Sequence, residues 1–172
     1  MKALVLALPM ILGLLLFVAL LARPWRMYVE ARAASRSGTA LPVTNDDRAL
    51  AQAEAEARAT LPDFLVRLAS PRPGDSEFMV KFRLRAGKTP EQIWAEQLRR
   101  RDGRLYGRLA NDPVTRGLSF DQEVEIPERE IIDWGFRDNG VMQGHFSTRV
   151  FLERMPETVQ ADVRKDFGWD RA

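Results

Sequence analysis

Few side chains in this sequence have the chemistry for catalysis or for metal binding. The chain of 172 residues contains one histidine and no cysteine, which excludes disulfides, thiolate zinc sites, cysteine nucleophiles and multi-histidine metal sites. The histidine, His145, has an unperturbed pKa near neutrality and could act as a general base, with Asp133 as its partner in space. Asp133 and His145 are therefore the candidate catalytic residues of a hydrolase-type enzyme, although a packed or surface histidine is the more common case.

Sequence motifs add no further catalytic candidate. The stretch GLSFD at residues 117–121 begins like the nucleophile elbow of serine hydrolases but lacks the closing glycine. The chain has no phosphate-binding loop, dinucleotide fingerprint, HExxH motif or calcium loop. The absence of these motifs predicts that the protein has no cofactor and no metal site, and it leaves catalysis without an assigned residue.

Arginines form a second group with functional potential. Arg83, Arg85, Arg104 and Arg108, which we call the arginine face, lie on predicted strands and are the candidate ligand-binding residues for an anionic ligand. The alternative is a neutralised surface, because Asp121, Glu123 and Glu125 also follow strand spacing and could pair across strands with Lys81, Arg83 and Arg85. The whole chain has 26 Lys+Arg and 24 Asp+Glu. We favour the neutralised surface and expect no nucleic-acid binding.

The period of the apolar residues predicts the elements that position these side chains. Strand-like alternation occurs at residues 78–84, 104–109, 123–126 and 132–137, and Asn139-Gly140 predicts a hairpin back through Val141–Gln143. In the strand at 132–137, alternation predicts that Trp134 shares the inward face with Ile132 and Phe136, while Asp133 points the other way. A helix capped by Asn45 or Thr44, a second short helix capped by Thr60, and two short helices within 147–167 flank these strands.

Residues 89–101 allow two interpretations. Thr89-Pro90-Glu91-Gln92 has the composition of a helix start. In contrast, Asp102-Gly103 joins this segment to a strand of matching length, as in a hairpin. We favour the strand.

The amino terminus has the pattern of a membrane anchor. Ala3–Ala22 contains no charged residue and is long enough to cross a bilayer as a helix. A cleaved signal peptide is the rival interpretation, but its apolar core is usually shorter. Four arginines follow the apolar segment, which favours a cytoplasmic domain, with the periplasmic side as the alternative. The predicted organisation is an anchor at 1–22, a basic juxtamembrane segment and linker at 23–45, and a domain at 46–172.

Several short motifs of the domain resemble a known family. They are ARATLPDFL at 57–65, EQIW at 91–94, GRLANDP at 107–113, IDW at 132–134 and GHFSTRV at 144–150. Together they resemble the YegJ-like bacterial family, domain of unknown function 2314, over roughly residues 47–155. The resemblance implies an α+β domain and favours a strand at Glu91–Arg99. It implies no activity, cofactor or site residue.

These observations predict an α+β protein with an N-terminal transmembrane helix followed by one domain, in which short helices flank an antiparallel sheet. We expect a single-pass protein of the bacterial inner membrane, attached through Ala3–Ala22. The expected function is a membrane-tethered binding or interaction module for an unknown protein partner, with no chemistry of its own. The alternatives are a hydrolase-type enzyme using Asp133 and His145, and an anionic-ligand binder using the arginine face.

Overall fold

The computed structural model describes residues 48–86 and 90–170, and this part of the chain forms an α+β domain. Six strands form one antiparallel sheet in the order β4-β3-β2-β1-β5-β6. The strands are β1 (Asp75–Leu84), β2 (Glu91–Arg101), β3 (Arg104–Leu109), β4 (Glu123–Ile126), β5 (Ile131–Asp138) and β6 (Val141–Gly144). The helices are α1 (Arg48–Ala69), α2 (Phe146–Leu152) and α3 (Glu157–Phe167), with a 3-10 helix at Glu128–Glu130. The predicted α+β class with an antiparallel sheet is confirmed.

Two tight turns set the register of neighbouring strands. Asp102-Gly103 joins β2 to β3 and Asn139-Gly140 joins β5 to β6, and all four residues have positive φ angles. Turns with two such residues match the twist of a hairpin. The strand interpretation of residues 91–101 is thereby confirmed, because β2 pairs with β1 over residues 91–96 and with β3 up to Arg101.

The amino-terminal part of the domain is one helix of 22 residues, so the prediction of a second helix capped by Thr60 was wrong. The Thr60 hydroxyl donates instead to the carbonyl of Glu56, at 2.8 Å, one turn earlier in the same helix. Pro62 also lies inside α1, where a missing N–H and a ring clash usually cost about 3 kcal/mol. Packing of Ala57 and Phe64 against the sheet keeps the helix continuous.

The core lies between α1 and one face of the sheet. The ring of Phe64 stacks on Trp134 with centroids 5.1 Å apart, and both belong to a buried cluster with Val80 and Phe82. The indole Nε1 of Trp134 donates to the carbonyl of Ala57 at 2.9 Å. This bond satisfies the one polar group of a buried tryptophan, and the predicted inward position of Trp134 is confirmed.

The two carboxy-terminal helices agree with the prediction of two short helices in that region. The predicted anchor at Ala3–Ala22 and the linker at 23–45 lie outside the described residues. Within the described ranges, none of the helices has both the length and the apolar character needed to cross a membrane.

Candidate functional site

Asp133 lies on β5 and is fully buried. Asp133 lies on the face opposite Trp134, as predicted, but it is not a surface residue there. In β5, residues on both faces are covered from Ile131 to Phe136, because the chain leaves β6 and forms α2 close to the second face of the sheet. Asp133 is therefore enclosed although the alternation of β5 places it away from the core.

The carboxylate of Asp133 accepts four hydrogen bonds. Oδ1 accepts from the backbone N–H of Trp134 at 2.8 Å and of Phe146 at 3.1 Å. Oδ2 accepts from the backbone N–H of Ser147 at 2.8 Å and from its hydroxyl at 2.6 Å. Phe146 and Ser147 are the first residues of α2, and a helix start leaves its N–H groups without intrahelical acceptors. Asp133, which lies on β5, supplies these acceptors and so caps the helix.

Burial raises the pKa of Asp133, and the hydrogen bonds from Ser147, Trp134 and Phe146 oppose this effect. The nearest cation in the sheet register is Lys81 on β1, which pairs with Asp133. Lys81 is half-buried, and its ammonium lies 5.8 Å from the ring centroid of Phe151 on α2. Burial lowers the pKa of Lys81, while the charge of Asp133 opposes that shift.

His145 joins β6 to α2 and is only 5% exposed. Its backbone adopts the left-handed conformation, with φ of 54°. The imidazole stacks on Trp94 of β2, with centroids 4.7 Å apart, and Phe167 of α3 meets it edge-on at 5.0 Å. Gly135 on β5 leaves the space that the ring occupies, because a Cβ at this position would overlap the imidazole. Three separate elements, β2, β5 and α3, therefore enclose the imidazole.

The hydrogen bonding of His145 is incomplete. Nδ1 lies 3.3 Å from the hydroxyl of Thr148, and Nε2 is buried without a hydrogen-bond partner. Burial lowers the pKa of His145 to about 3, with further lowering from the charges of Arg149, Arg137 and Lys81. The imidazole is therefore neutral at physiological pH. The structure places Asp133 and His145 close to the start of the same helix, but their side chains hydrogen-bond to different partners.

Each member of the arginine face has an acidic partner. Arg83 pairs with Glu54 at 2.6 Å and Arg85 with Glu130 at 2.9 Å. Arg104 pairs with Glu125 at 3.0 Å and Arg108 with Asp121 at 2.7 Å. The charge of the face is thus compensated within the domain.

The predicted partners of the β1 cations were wrong. Lys81, Arg83 and Arg85 were expected to pair with Asp121, Glu123 and Glu125, but β2 and β3 separate β1 from β4. Glu123 instead pairs with Arg99 and Arg101 of β2. Arg83 of β1 meets Glu54 of α1, and Arg85, which follows β1, meets Glu130 of the 3-10 helix.

Sequence reasoning missed Glu96 as a candidate. Glu96 is half-buried on β2, two residues after Trp94, and no ion pair to it occurs in the described part of the chain. Burial raises its pKa, and the like charges of Asp121 and Glu77 add to this shift. Alternation along β2 could have placed Glu96 on the same face as Trp94. It could not show that Arg108, the cross-strand neighbour of Glu96, forms its hydrogen bond with Asp121 instead. Across the described ranges, His, Asp and Glu side chains form no group of three that could hold a metal ion.

Comparison with protein families confirms the expected membership in domain of unknown function 2314. The profile of the family described as "Uncharacterized protein conserved in bacteria (DUF2314)" matches residues 47–171. Comparison with curated proteins and with solved structures gives no match.

Proposed function

The chain belongs to this bacterial family, whose description states no activity, and from its own geometry we propose that it is a membrane-tethered binding module without chemistry of its own. Ala3–Ala22 would attach it to the bacterial inner membrane, with the domain on the cytoplasmic side. Its partner would be another protein.

One observation carries this proposal, namely the engagement of Asp133. Both carboxylate oxygens of Asp133 are used to hold the start of α2. A general base needs a lone pair directed at substrate, and Asp133 could offer one only by releasing the helix. Asp133, the carboxylate that was the catalytic candidate, therefore stabilises the start of α2. This structural role is expected of a binding module that presents a fixed surface.

The paired arginines support a protein partner over a polyanion. Binding of phosphates gains free energy when cationic side chains release condensed counterions. Arg83, Arg85, Arg104 and Arg108 already contact carboxylates, so each would have to lose an ion pair before it contacted a phosphate. A partner protein that fits the surface needs no such exchange.

Photo-crosslinking in bacterial cells tests the binding function. The full chain would carry a photoreactive residue at one of the exposed valines, Val66, Val114 or Val159, with Leu152, which is buried, as the matched control position. We expect a discrete adduct from one of the exposed positions and none from position 152. Failure to obtain an adduct from any exposed position would contradict the proposal.

Fractionation tests the tether separately. The full chain should remain in the membrane fraction after an alkaline wash, and a chain lacking residues 2–22 should not. Recovery of the full chain in the soluble fraction would refute the anchor without bearing on the adducts.

The alternative is a hydrolase-type enzyme, and the observation that favours it is the buried Nε2 of His145, which has no partner. Access to this nitrogen would require Phe167 to move from its contact with the imidazole. The test is hydrolysis of ester and phosphoester substrates by the purified full chain and by its His145→Asn variant. Turnover that the variant abolishes would replace the binding function with the enzymatic one.

A further inference from the structure

Four half-buried side chains form a group on β1 and β2, on the face of the sheet that α1 does not cover. In the antiparallel register, Lys81 lies directly opposite Trp94, and Met79 lies directly opposite Glu96. Residues that are directly opposed, or two apart on one strand, share a face of the sheet. Val80, between Met79 and Lys81, belongs to the core, so the four side chains lie on the other face. We call this group the β1–β2 patch.

The ammonium of Lys81 has no acceptor within the described part of the chain. Its neighbour on β5 is Asp133, but a carboxylate has about four lone-pair sites, and those of Asp133 receive four hydrogen bonds from other groups. Burial lowers the pKa of Lys81, and no hydrogen bond offsets this shift. Among the described residues, only Nε2 of His145 is a fully buried polar side-chain atom without a partner. The Lys81 ammonium therefore still reaches solvent.

Glu96 is the corresponding case with the opposite charge. Its neighbour on β3 is Arg108, but the guanidinium of Arg108 donates two hydrogen bonds to Asp121. Burial raises the pKa of Glu96, and none of the causes of this shift is a hydrogen bond or a cation. Lysine and glutamate are seldom buried unless they are paired. The β1–β2 patch therefore contains one cation and one anion for which the described ranges supply no counter-charge.

The surroundings of the patch suit contact with a protein. Arg83, the next residue of β1 on the same face, already pairs with Glu54, so the cations beside the patch add no field for a polyanion. Trp94 lies between the two charges, and the imidazole of His145 stacks on it and holds its ring in place. Tryptophan and methionine are enriched in the contact surfaces of protein complexes. The patch thus combines apolar contact area with two charges of opposite sign.

We infer that the β1–β2 patch receives the protein partner, and that the partner places an acidic side chain on Lys81 and a basic side chain on Glu96. This inference rests on the proposed function, since it takes the partner to be a protein. One ion pair at a solvent-accessible position changes a binding constant only about fivefold, so Lys81 alone would not retain a free carboxylate. A protein segment also contacts Trp94 and Met79, and the two opposite charges fix its direction across the strands.

Photo-crosslinking of the full chain in bacterial cells distinguishes this surface from others. Val114 lies in the loop that runs beside the patch, because its N–H donates to Glu91, the first residue of β2, and Asn111 of the same loop accepts from the N–H of Trp94. The chain with a photoreactive residue at position 114 would be compared with the same chain carrying Lys81→Met. We expect a discrete adduct from position 114, and Lys81→Met should lower its yield at least about fivefold, the contribution of one ion pair.

Lys165→Met is the matched control, because Lys165 is an exposed lysine of α3, and it should leave the yield unchanged. Glu96→Gln should lower the yield as Lys81→Met does, and it serves alone if Lys81→Met unfolds the domain, since it removes a charge at nearly constant size.

Two results would overturn this inference and leave the proposed binding function standing. One is an adduct from Val66 or Val159 with none from Val114, and the other is a Val114 adduct that neither patch variant weakens. Absence of an adduct from all three positions would contradict the proposed function, and this inference with it.

Discussion

Protonation of His145 should destabilise the folded domain at mildly acidic pH. The folded protein holds the imidazole in its neutral form, with a pKa of about 3 against an ordinary value of 6.5. Burial is the main cause, and the cations facing the ring are Arg149 on α2, Arg137 on β5 and Lys81 on β1. The unfolded chain has no such restriction, and its histidine accepts a proton below about pH 6.5.

The sign and size of the effect follow from this difference. Between the two pKa values the unfolded state binds more protons than the folded state, so the free energy of unfolding falls as the pH falls. The contribution of His145 is fully present above about pH 6.5. At about pH 5 the loss is roughly 2 kcal/mol, and it approaches about 5 kcal/mol near pH 3, since one pKa unit corresponds to about 1.4 kcal/mol.

Urea unfolding of the full chain at pH 7, 6 and 5 measures this loss. His145→Asn is the matched control, because asparagine tolerates the left-handed backbone of this position and does not titrate. The variant loses packing at every pH, so the informative quantity is the change in its stability between pH 7 and pH 5. His145 is the only histidine in the chain, and the carboxylates that both proteins share largely cancel in the comparison. If the wild type loses no more stability than the variant over this range, the burial argument for His145 is wrong.

Three further predictions concern the sheet. Asp133→Asn should lower the free energy of unfolding by about 2–4 kcal/mol, because an amide NH₂ would face the two donors of Ser147. A loss below about 0.5 kcal/mol, measured by urea unfolding, would exclude the capping role. Trp134→Ala should cost about 3–5 kcal/mol by the same measurement, as truncation of a buried aromatic does, and a near-wild-type midpoint would show that the core tolerates the cavity. The isolated domain, residues 46–172, should show no salt-sensitive binding to nucleic acid or to anionic vesicles at physiological ionic strength, because arginines such as Arg83 are already paired with acids such as Glu54. Micromolar binding that disappears in an Arg83→Glu/Arg85→Glu variant would refute this.

Local periodicity by itself determined much of the sheet. The alternation of Phe78, Val80, Phe82 and Leu84 identifies β1, and Asn139-Gly140 identifies the β5–β6 hairpin. These features depend on neighbours a few residues apart, and side-chain period and turn geometry act at that distance. The inward position of Trp134 follows from the same alternation.

Only the tertiary structure decided which surfaces are covered and which charges meet. Thr60 and Pro62 carry the local signals of a helix start, but burial of Ala57 and Phe64 against the sheet keeps α1 continuous. The strand order places β4 away from β1, so Arg83 and Arg85 meet acids that sequence spacing does not indicate.

The return of the chain from β6 into α2 encloses Asp133, which alternation alone would leave in solvent. Alternation along a strand states which side chains share a face, and the path of the rest of the chain determines whether that face is covered. For this domain, the sequence was therefore sufficient to predict the strands and inward residues such as Trp134, whereas the irregularity that places Ile131 rather than Ile132 in the core cluster was not predicted. The roles of Asp133, of His145 and of the arginines depend on contacts between distant segments, and those contacts exist only in the folded chain.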